Sequence, residues 1–267
     1  MSQIMSTSVS VSELRENILQ VFSTHLSNRN MEVMKEKVQM LHRSFFYLEL
    51  CPEKSDCFVV EQQRLQGALR LAHNHVRLLL TLMEMLFEEI CCCRQDLQSF
   101  LLQTEKALVD SDVISAALTT LTQLHQHLED FNTRDTRNLG PLDLDQQLLP
   151  GSGQLHVPQL CATLYYKLPV VFDCLKSYAK STSVYLVWSL HGGMCQDPNQ
   201  LYEVQFKILH PCMGEQGQCE QFAIMGHSCT LDNLTPDRFY QFSVKHLSTP
   251  NLVFSAWMDT LTMKTVS

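Results

Sequence analysis

Apolar residues in the first half of the chain recur at steps of three and four, which is the spacing of one face of an α-helix. Three long series follow this spacing, and a shorter one runs from Val11 to Leu26. The long series are Met31, Met34, Val38, Leu41, Phe45 and Leu48; Leu65, Leu69, Ala72, Val76, Leu79, Met83, Leu86 and Ile90; and Ile114, Ala117, Leu121, Leu124, Leu128 and Phe131. Such series predict helices packed nearly parallel or antiparallel. We expect the second helix to end at Pro52, because the residue before a proline disfavours the helical conformation.

The third series is wider than the others. Apolar residues also lie beside its main row, at Leu78, Leu80, Leu82, Met85 and Phe87. A wide apolar stripe contacts more than one neighbour. We therefore expect a compact bundle of four or five helices, with an extended dimeric coiled coil as the alternative.

The second half of the chain has a different pattern. Residues 1–132 contain one proline and one glycine, whereas residues 133–267 contain eight of each. In a helix interior a proline costs about 3 kcal/mol and a glycine about 1 kcal/mol. Apolar and polar residues instead alternate between Tyr202 and Ile208, where Glu203, Gln205 and Lys207 separate the apolar positions. A period of two predicts a strand with one buried face.

About seven short strands, separated by turn residues, predict an antiparallel β-sandwich in this half. The fold class is therefore α+β in two segregated domains, with an N-terminal antiparallel helical bundle or coiled-coil-like region and a C-terminal immunoglobulin-like sandwich. We place the bundle at residues 1–135, a linker rich in proline and glycine at 136–165, and the sandwich at 166–267.

Composition and charge narrow the classes of partner. The chain is 45% apolar and has a formal net charge of −8, which argues against a disordered chain and against a nucleic-acid-binding protein. The most apolar stretch, 78–90, is interrupted by Glu84, Glu88 and Glu89, so we expect no membrane-spanning segment. The first residues lack the pattern of a secretory signal, which favours a cytoplasmic protein.

Glu84, Glu88 and Glu89 form an acidic face on the third predicted helix. We interpret this face as solvated, with a site for a basic partner segment as the alternative.

Cysteine and histidine are the candidate ligands and nucleophiles. Eleven cysteines are present, and Cys91, Cys92 and Cys93 are consecutive. We interpret them as reduced thiols, with a redox role or a metal site as alternatives. His73 and His75 lie about four helical turns away from the three cysteines, too far to share one ion with them.

The other sequence patterns that could indicate a metal site or an active site are either absent or have the wrong spacing. His125 and His127 are two residues apart and face different sides of a helix. Gly192 and Gly193 are interpreted as a hairpin turn, and no phosphate-binding or nucleophile-elbow motif is present. We predict no catalytic, cofactor-binding or metal-binding residue, no cofactor and no small-molecule substrate.

Residues 166–267 resemble a fibronectin type III domain. Pro169 stands at the first strand, Trp188 in the second and Tyr202 in the third. The family pattern of leucine, proline, tyrosine, aromatic residue and valine is matched by Leu234, Pro236, Tyr240, Phe242 and Val244. The resemblance implies that Trp188 and Tyr240 are core residues, and that the Tyr240 hydroxyl bonds nearby backbone as a tyrosine corner.

Further runs extend the resemblance to nearly the whole chain. These are Arg43 to Pro52, Lys167 to Asp173, Tyr202 to Phe206, Cys219 with Cys229, and Leu252 to Leu261. They are similar to the fibronectin type III domain-containing protein 11 family, which pairs a helical region with a C-terminal domain of this type. The resemblance implies an intracellular interaction protein of ciliated or germ cells, without catalytic residues.

Two functions remain open at this point. The first is a non-enzymatic structural or scaffolding protein, a component of the axoneme of cilia or sperm flagella, with tubulin or axonemal proteins as partners. The second is a soluble cytoplasmic adaptor that binds a peptide or helix of a signalling partner.

Overall fold

The computed structural model describes residues 10–52, 62–105, 110–134, 141–143, 160–193, 199–211 and 217–267. The helices are α1 (Val11–Thr24), α2 (Asn28–Arg43), α3 (Gln62–Glu105) and α4 (Ser111–Thr133). The strands are β1 (Phe45–Pro52), β2 (Pro141–Asp143), β3 (Leu160–Lys167), β4 (Val170–Phe172), β5 (Tyr178–Ala179), β6 (Val184–Leu190), β7 (Leu201–Leu209), β8 (Cys219–Met225), β9 (Ser228–Leu231), β10 (Phe239–His246), β11 (Leu252–Phe254) and β12 (Asp259–Lys264).

The chain divides into two compact units that alternate along the sequence. The first unit contains Met1–Gln39 and Arg77–Asp135, and the second contains Met40–Val76 and Thr136–Ser267. The predicted fold class, helices followed by a β-sandwich, is confirmed. The predicted domain boundaries, at 135/136 and 165/166, stay predictions.

The first unit is helical and follows the predicted apolar rows. Leu14 and Ile18 of α1 and Leu124 of α4 are fully buried. Each of these two helices begins at a side-chain cap, because Ser10 accepts a hydrogen bond from the Glu13 amide at 3.1 Å and Asp110 accepts one from the Val113 amide at 2.9 Å. Such caps satisfy amide groups that have no partner inside the helix.

One predicted helix ends earlier than expected. Helix α2 stops at Arg43, and the predicted helical residues Phe45 and Leu48 lie instead in strand β1. The Ser44 hydroxyl donates to the Met40 carbonyl at 2.8 Å and the Ser44 amide donates to the Leu41 carbonyl at 3.1 Å, which closes the last turn. The aromatic run that follows favours a strand, so the prediction that the helix continues to Pro52 is wrong.

The second unit contains the β-sandwich. One sheet has the strand order β12-β10-β7-β8, and the other has the order β4-β6-β5 with β9 also paired to β6. The predicted alternation of β7 is confirmed, because its apolar side chains enter the core between the sheets. The largest buried side chains of this core are Trp188, Tyr202, Tyr240 and Phe242.

A further sheet contains β1 together with strands from the C-terminal half of the chain. Its order is β11-β1-β3-β2. Strand β1 is antiparallel to both neighbours, with Phe46 opposite Tyr166 on one side and Phe254 on the other. A segment from between two helices therefore lies at the centre of a sheet whose other strands come from residues 141–143, 160–167 and 252–254.

The Tyr240 hydroxyl holds the loop that precedes its own strand. It accepts a hydrogen bond from the Thr235 amide at 2.9 Å and donates one to the Gln218 side-chain carbonyl. The ring itself is fully buried. The tyrosine corner implied by the family resemblance is therefore present.

We expect Tyr240→Phe to lower the free energy of unfolding by about 1–3 kcal/mol, because it leaves the Thr235 amide without its partner. Urea unfolding followed by circular dichroism measures the change. Tyr185→Phe in β6 is the matched control, since the Tyr185 hydroxyl has no hydrogen bond to a described residue. Equal midpoints for the two variants would show that the Tyr240 hydroxyl adds nothing to stability.

Candidate interaction surface

The three consecutive cysteines lie about two thirds of the way along α3. Cys92 is exposed, Cys91 is half-buried and Cys93 is buried. Burial raises the pKa of the Cys91 and Cys93 thiols, which favours the protonated and less nucleophilic form. In the same way burial raises the pKa of Cys229 in β9 to about 12.

The candidate metal ligands do not converge in the described part of the chain. No group of three histidine, cysteine, aspartate or glutamate residues there is placed to hold a metal ion. His125 of α4 instead bonds the Leu121 carbonyl through Nδ1 at 2.8 Å. His73 of α3 bonds the Val253 carbonyl through Nδ1 at 3.0 Å. Glu84, Glu88 and Glu89 are all exposed.

Grooves lie between described helices of the first unit. One groove of about 320 Å³ lies between α3 and α4, against Leu97, Phe100 and Ala117. Another of about 310 Å³ lies between α1 and α4, against Val21 and Leu121. That the chain is not an enzyme stays a prediction.

Aromatic side chains of β1 pack against aromatic side chains of the neighbouring strands. The Phe46 ring lies 5.7 Å from that of Tyr166 and 6.2 Å from that of Phe254, and the Tyr47 ring stacks on Tyr165 at 5.4 Å. A backbone hydrogen bond adds to these contacts, since the Leu48 amide donates to the Asn251 carbonyl at 2.9 Å. These contacts join β1 to the strands β3 and β11 of the second unit.

A buried histidine lies where β1 meets the end of the sandwich. His246 is 1% exposed, and its ring contacts Phe45 at 5.0 Å and Tyr202 at 5.4 Å between centroids. Its Nε2 bonds the Leu168 carbonyl at 2.8 Å, while Nδ1 has no hydrogen-bond partner among the described residues. Burial, with a smaller effect of the nearby Lys167 charge, lowers the pKa of His246 to about 4.

We expect the second unit to lose stability as the pH falls from 6.5 to 4. In this window the unfolded chain protonates His246 and the folded chain does not, so folding becomes less favourable by up to about 3 kcal/mol. The measurement is the free energy of unfolding in urea across this pH range. His246→Gln, which keeps a donor for the Leu168 carbonyl, should show a shallower slope. Parallel slopes for the wild type and the variant would contradict the assignment.

The outer face of the sheet β12-β10-β7-β8 carries mainly polar side chains. Its charges are partly neutralised, because Lys245 and Glu203 form an ion pair at 2.8 Å with both side chains largely buried. Around this pair lie uncharged amide and hydroxyl side chains, namely Gln205, Gln221, Gln241, Ser243, Thr260 and Thr262. Such a face can hydrogen-bond a partner without strong dependence on charge.

Strand β8 forms one border of this surface. It pairs with β7 on one side, and no described strand pairs with it on the other. Its residues are exposed or half-buried, and Met225 at its end is 57% exposed. A sheet edge of this kind offers backbone amides and carbonyls to another strand. The border and the polar face together are the candidate interaction surface.

Strand order, the tyrosine corner and the buried Trp188 define the class of the protein: a helical region combined with an immunoglobulin-like β-sandwich of the fibronectin type III kind. Residues 167–267 match the model of the Fn3-like domain of a family of unknown function, DUF5581. The chain is similar to fibronectin type III domain-containing protein 11 of Homo sapiens, with 25% identity over 94% of this chain and 81% of the relative. The protein of the same name from Bos taurus is 26% identical over 94% of this chain and 78% of that protein.

These relatives confirm the resemblance predicted from the sequence. Among solved structures, the FN5 domain of Drosophila Lar is 18% identical and covers 36% of this chain and 96% of its own, with a TM-score of 0.26. The fn3 domain of human collagen alpha-1(XX) chain is 22% identical and covers 34% and 77%, also with a TM-score of 0.26. The family model and the named relatives, not these solved structures, identify residues 167–267 as an Fn3-like domain. None of the described helices is both long and apolar enough to cross a membrane.

Proposed function

We propose that the chain is a non-enzymatic scaffolding protein that uses its helical region and its fibronectin type III-like domain for contacts with other proteins. The observation that carries this proposal is the central position of β1 in the sheet β11-β1-β3-β2. Because β1 is hydrogen-bonded on both sides, Phe45–Pro52 cannot move freely against β3 and β11. A fixed arrangement suits a protein that holds partners at set positions.

The finer proposal places the chain in the cytoplasm, in the axoneme of cilia or sperm flagella, with tubulin or axonemal proteins as partners. Its support is the family resemblance, which is an association and not a physical argument. The net charge of −8 indicates that contacts with an acidic microtubule surface would depend on shape and hydrogen bonding, since charge alone would repel the chain.

Localisation of the endogenous protein in ciliated epithelium and sperm, before and after mild detergent extraction, tests this proposal. We expect the protein to remain along the axoneme after extraction. Complete extraction with a diffuse signal would overturn the axonemal proposal and support the soluble adaptor. A soluble tubulin-binding protein added as a control reports whether the extraction removes loosely held proteins.

A further inference from the structure

The outer edge of β8 is organised for strand pairing. In antiparallel pairs, alternate residues exchange hydrogen bonds with the neighbouring strand and the others face away from it. The Ile208 amide donates to the Gln218 carbonyl at 2.9 Å, and the Gly226 amide donates to the Gln200 carbonyl at 3.4 Å. Even-numbered residues of β8 therefore bond to β7, and the odd-numbered residues present their backbone groups to the open side.

Most of the edge lacks the features that normally prevent strands from pairing. Natural edges carry inward charges, lysines, prolines or bulges. The seven residues of β8 include no proline or lysine. Their one charge, Glu220, lies near one end of the strand, on the same face as Phe222 and Ile224, and is exposed. The four residues whose backbone groups face the open side, Cys219, Gln221, Ala223 and Met225, all have exposed side chains.

We propose that β8 pairs antiparallel with β8 of a second copy of the chain, with Phe222 on the two-fold axis. Outward-facing residues must meet outward-facing residues, and the register that aligns all seven positions places Cys219 opposite Met225 and Gln221 opposite Ala223. Each such pair exchanges two hydrogen bonds, which gives about eight across the four pairs. A two-fold interface of this kind uses the same surface on both copies and closes on itself.

Side chains favour this register over shifted ones. Glu220 lies opposite Ile224 of the second copy, so the two glutamates do not face each other. Phe222 lies opposite its own counterpart in a pair without hydrogen bonds, where side chains approach most closely. Phe222 and Ile224 are half-buried and already pack against the sandwich core. Pairing would cover their exposed sides and continue the apolar layer from one copy to the next.

The inference goes beyond the proposed function, because it concerns the assembly of the chain with itself and holds for a scaffold and an adaptor alike. Its consequence is a sheet of eight strands across two copies, with two polar outer faces side by side. A scaffold of this form uses the β8 border for self-pairing and presents the polar outer face twice.

Sedimentation velocity of the full-length chain over a wide concentration range tests the pairing. We expect the wild type to form a dimer reversibly, and Ala223→Pro to raise its dissociation constant about 10-fold to 100-fold. The proline removes one outward amide on each copy without touching the bonds to β7. Ala223→Ser, which keeps the amide, should dimerise as the wild type does. Ala223→Lys is the second variant, and it should weaken the dimer through two adjacent charges.

Hydrogen exchange is the second measurement that tests the strand pairing. The outward amides of residues 219, 221, 223 and 225 should become more protected in the wild type as the concentration rises, and not in Ala223→Pro. Circular dichroism melts establish that the variants fold. A wild type that stays monomeric up to its solubility limit would overturn the proposal, and so would a dimer that Ala223→Pro and Ala223→Lys leave unchanged.

Discussion

Replacing Trp188 by alanine is expected to destabilise the β-sandwich by about 3–5 kcal/mol. The side chain is 1% exposed, and its ring lies 6.5 Å from that of Phe172 in the same sheet and 5.8 Å from that of Tyr202 in the facing sheet. Removal of the indole therefore leaves a cavity between the two layers. A loss of this size is a large part of the total stability of a domain, which is about 5–15 kcal/mol.

Urea unfolding followed by near-ultraviolet circular dichroism measures the effect of Trp188→Ala. Tyr178→Ala in β5 is the control, because this aromatic side chain is about half exposed and its removal should cost less than 1 kcal/mol. A Trp188→Ala variant that retains the cooperative transition of the wild type at the same urea concentration would show that the strand assignment is wrong.

The second large effect is expected for Phe46→Ala in β1, also at about 3–5 kcal/mol. Phe46 has no exposed surface, and its ring contacts side chains of both neighbouring strands, Tyr166 in β3 and Phe254 in β11. The truncation therefore weakens the attachment of β1 on both sides at once. Hydrogen exchange should show faster exchange of the β3 and β11 amides, in addition to a lower urea midpoint.

Val33→Ala in α2 is the matched control for Phe46→Ala. Val33 is 56% exposed, and alanine is the better helix former, so this variant should unfold at or slightly above the wild-type urea concentration. If the β3 and β11 amides stay protected in Phe46→Ala, then β1 does not hold these strands together, and the support for the scaffold proposal is lost.

Elements with one buried face were predictable from the sequence. In α4 the apolar row from Ala117 to Phe131 is buried as its spacing predicts, and in β7 the alternation assigns the inner and outer faces correctly. In both cases local geometry sets the period of the pattern. Tyr240 and Trp188 were placed in the core by the family resemblance, since burial of a tyrosine hydroxyl with its partners is not visible in a periodicity.

Strand β1 was not predictable in this way. Phe45, Phe46, Tyr47 and Leu48 are all buried, so the segment has side chains covered on both faces and no period of two. By chance Leu41, Phe45 and Leu48 also continue the helical spacing of α2. The signals that would have identified the strand were its run of aromatic residues and the proline at its end.

The candidate interaction surface was even less predictable from the sequence than β1, because it depends on the tertiary structure. The polar face of β7 is visible in its alternation, but the open edge of β8 follows from the order of strands in the sheet. That order is set by packing between residues far apart in the chain. No local pattern in Cys219–Met225 distinguishes an edge strand from a central one, apart from the scarcity of charge.

The position of β1 also has a consequence for synthesis of the chain on the ribosome. Leu48 bonds Asn251 across a separation of 203 residues. At about 5–20 residues per second, roughly 10–40 s pass between the emergence of the two segments. Throughout that interval the nascent chain carries an aromatic strand with one or both edges unpaired, which is the kind of exposed segment that chaperones act on. Because long-range pairing is slow to form, completion of this sheet should be a late step in folding, after the helices have formed.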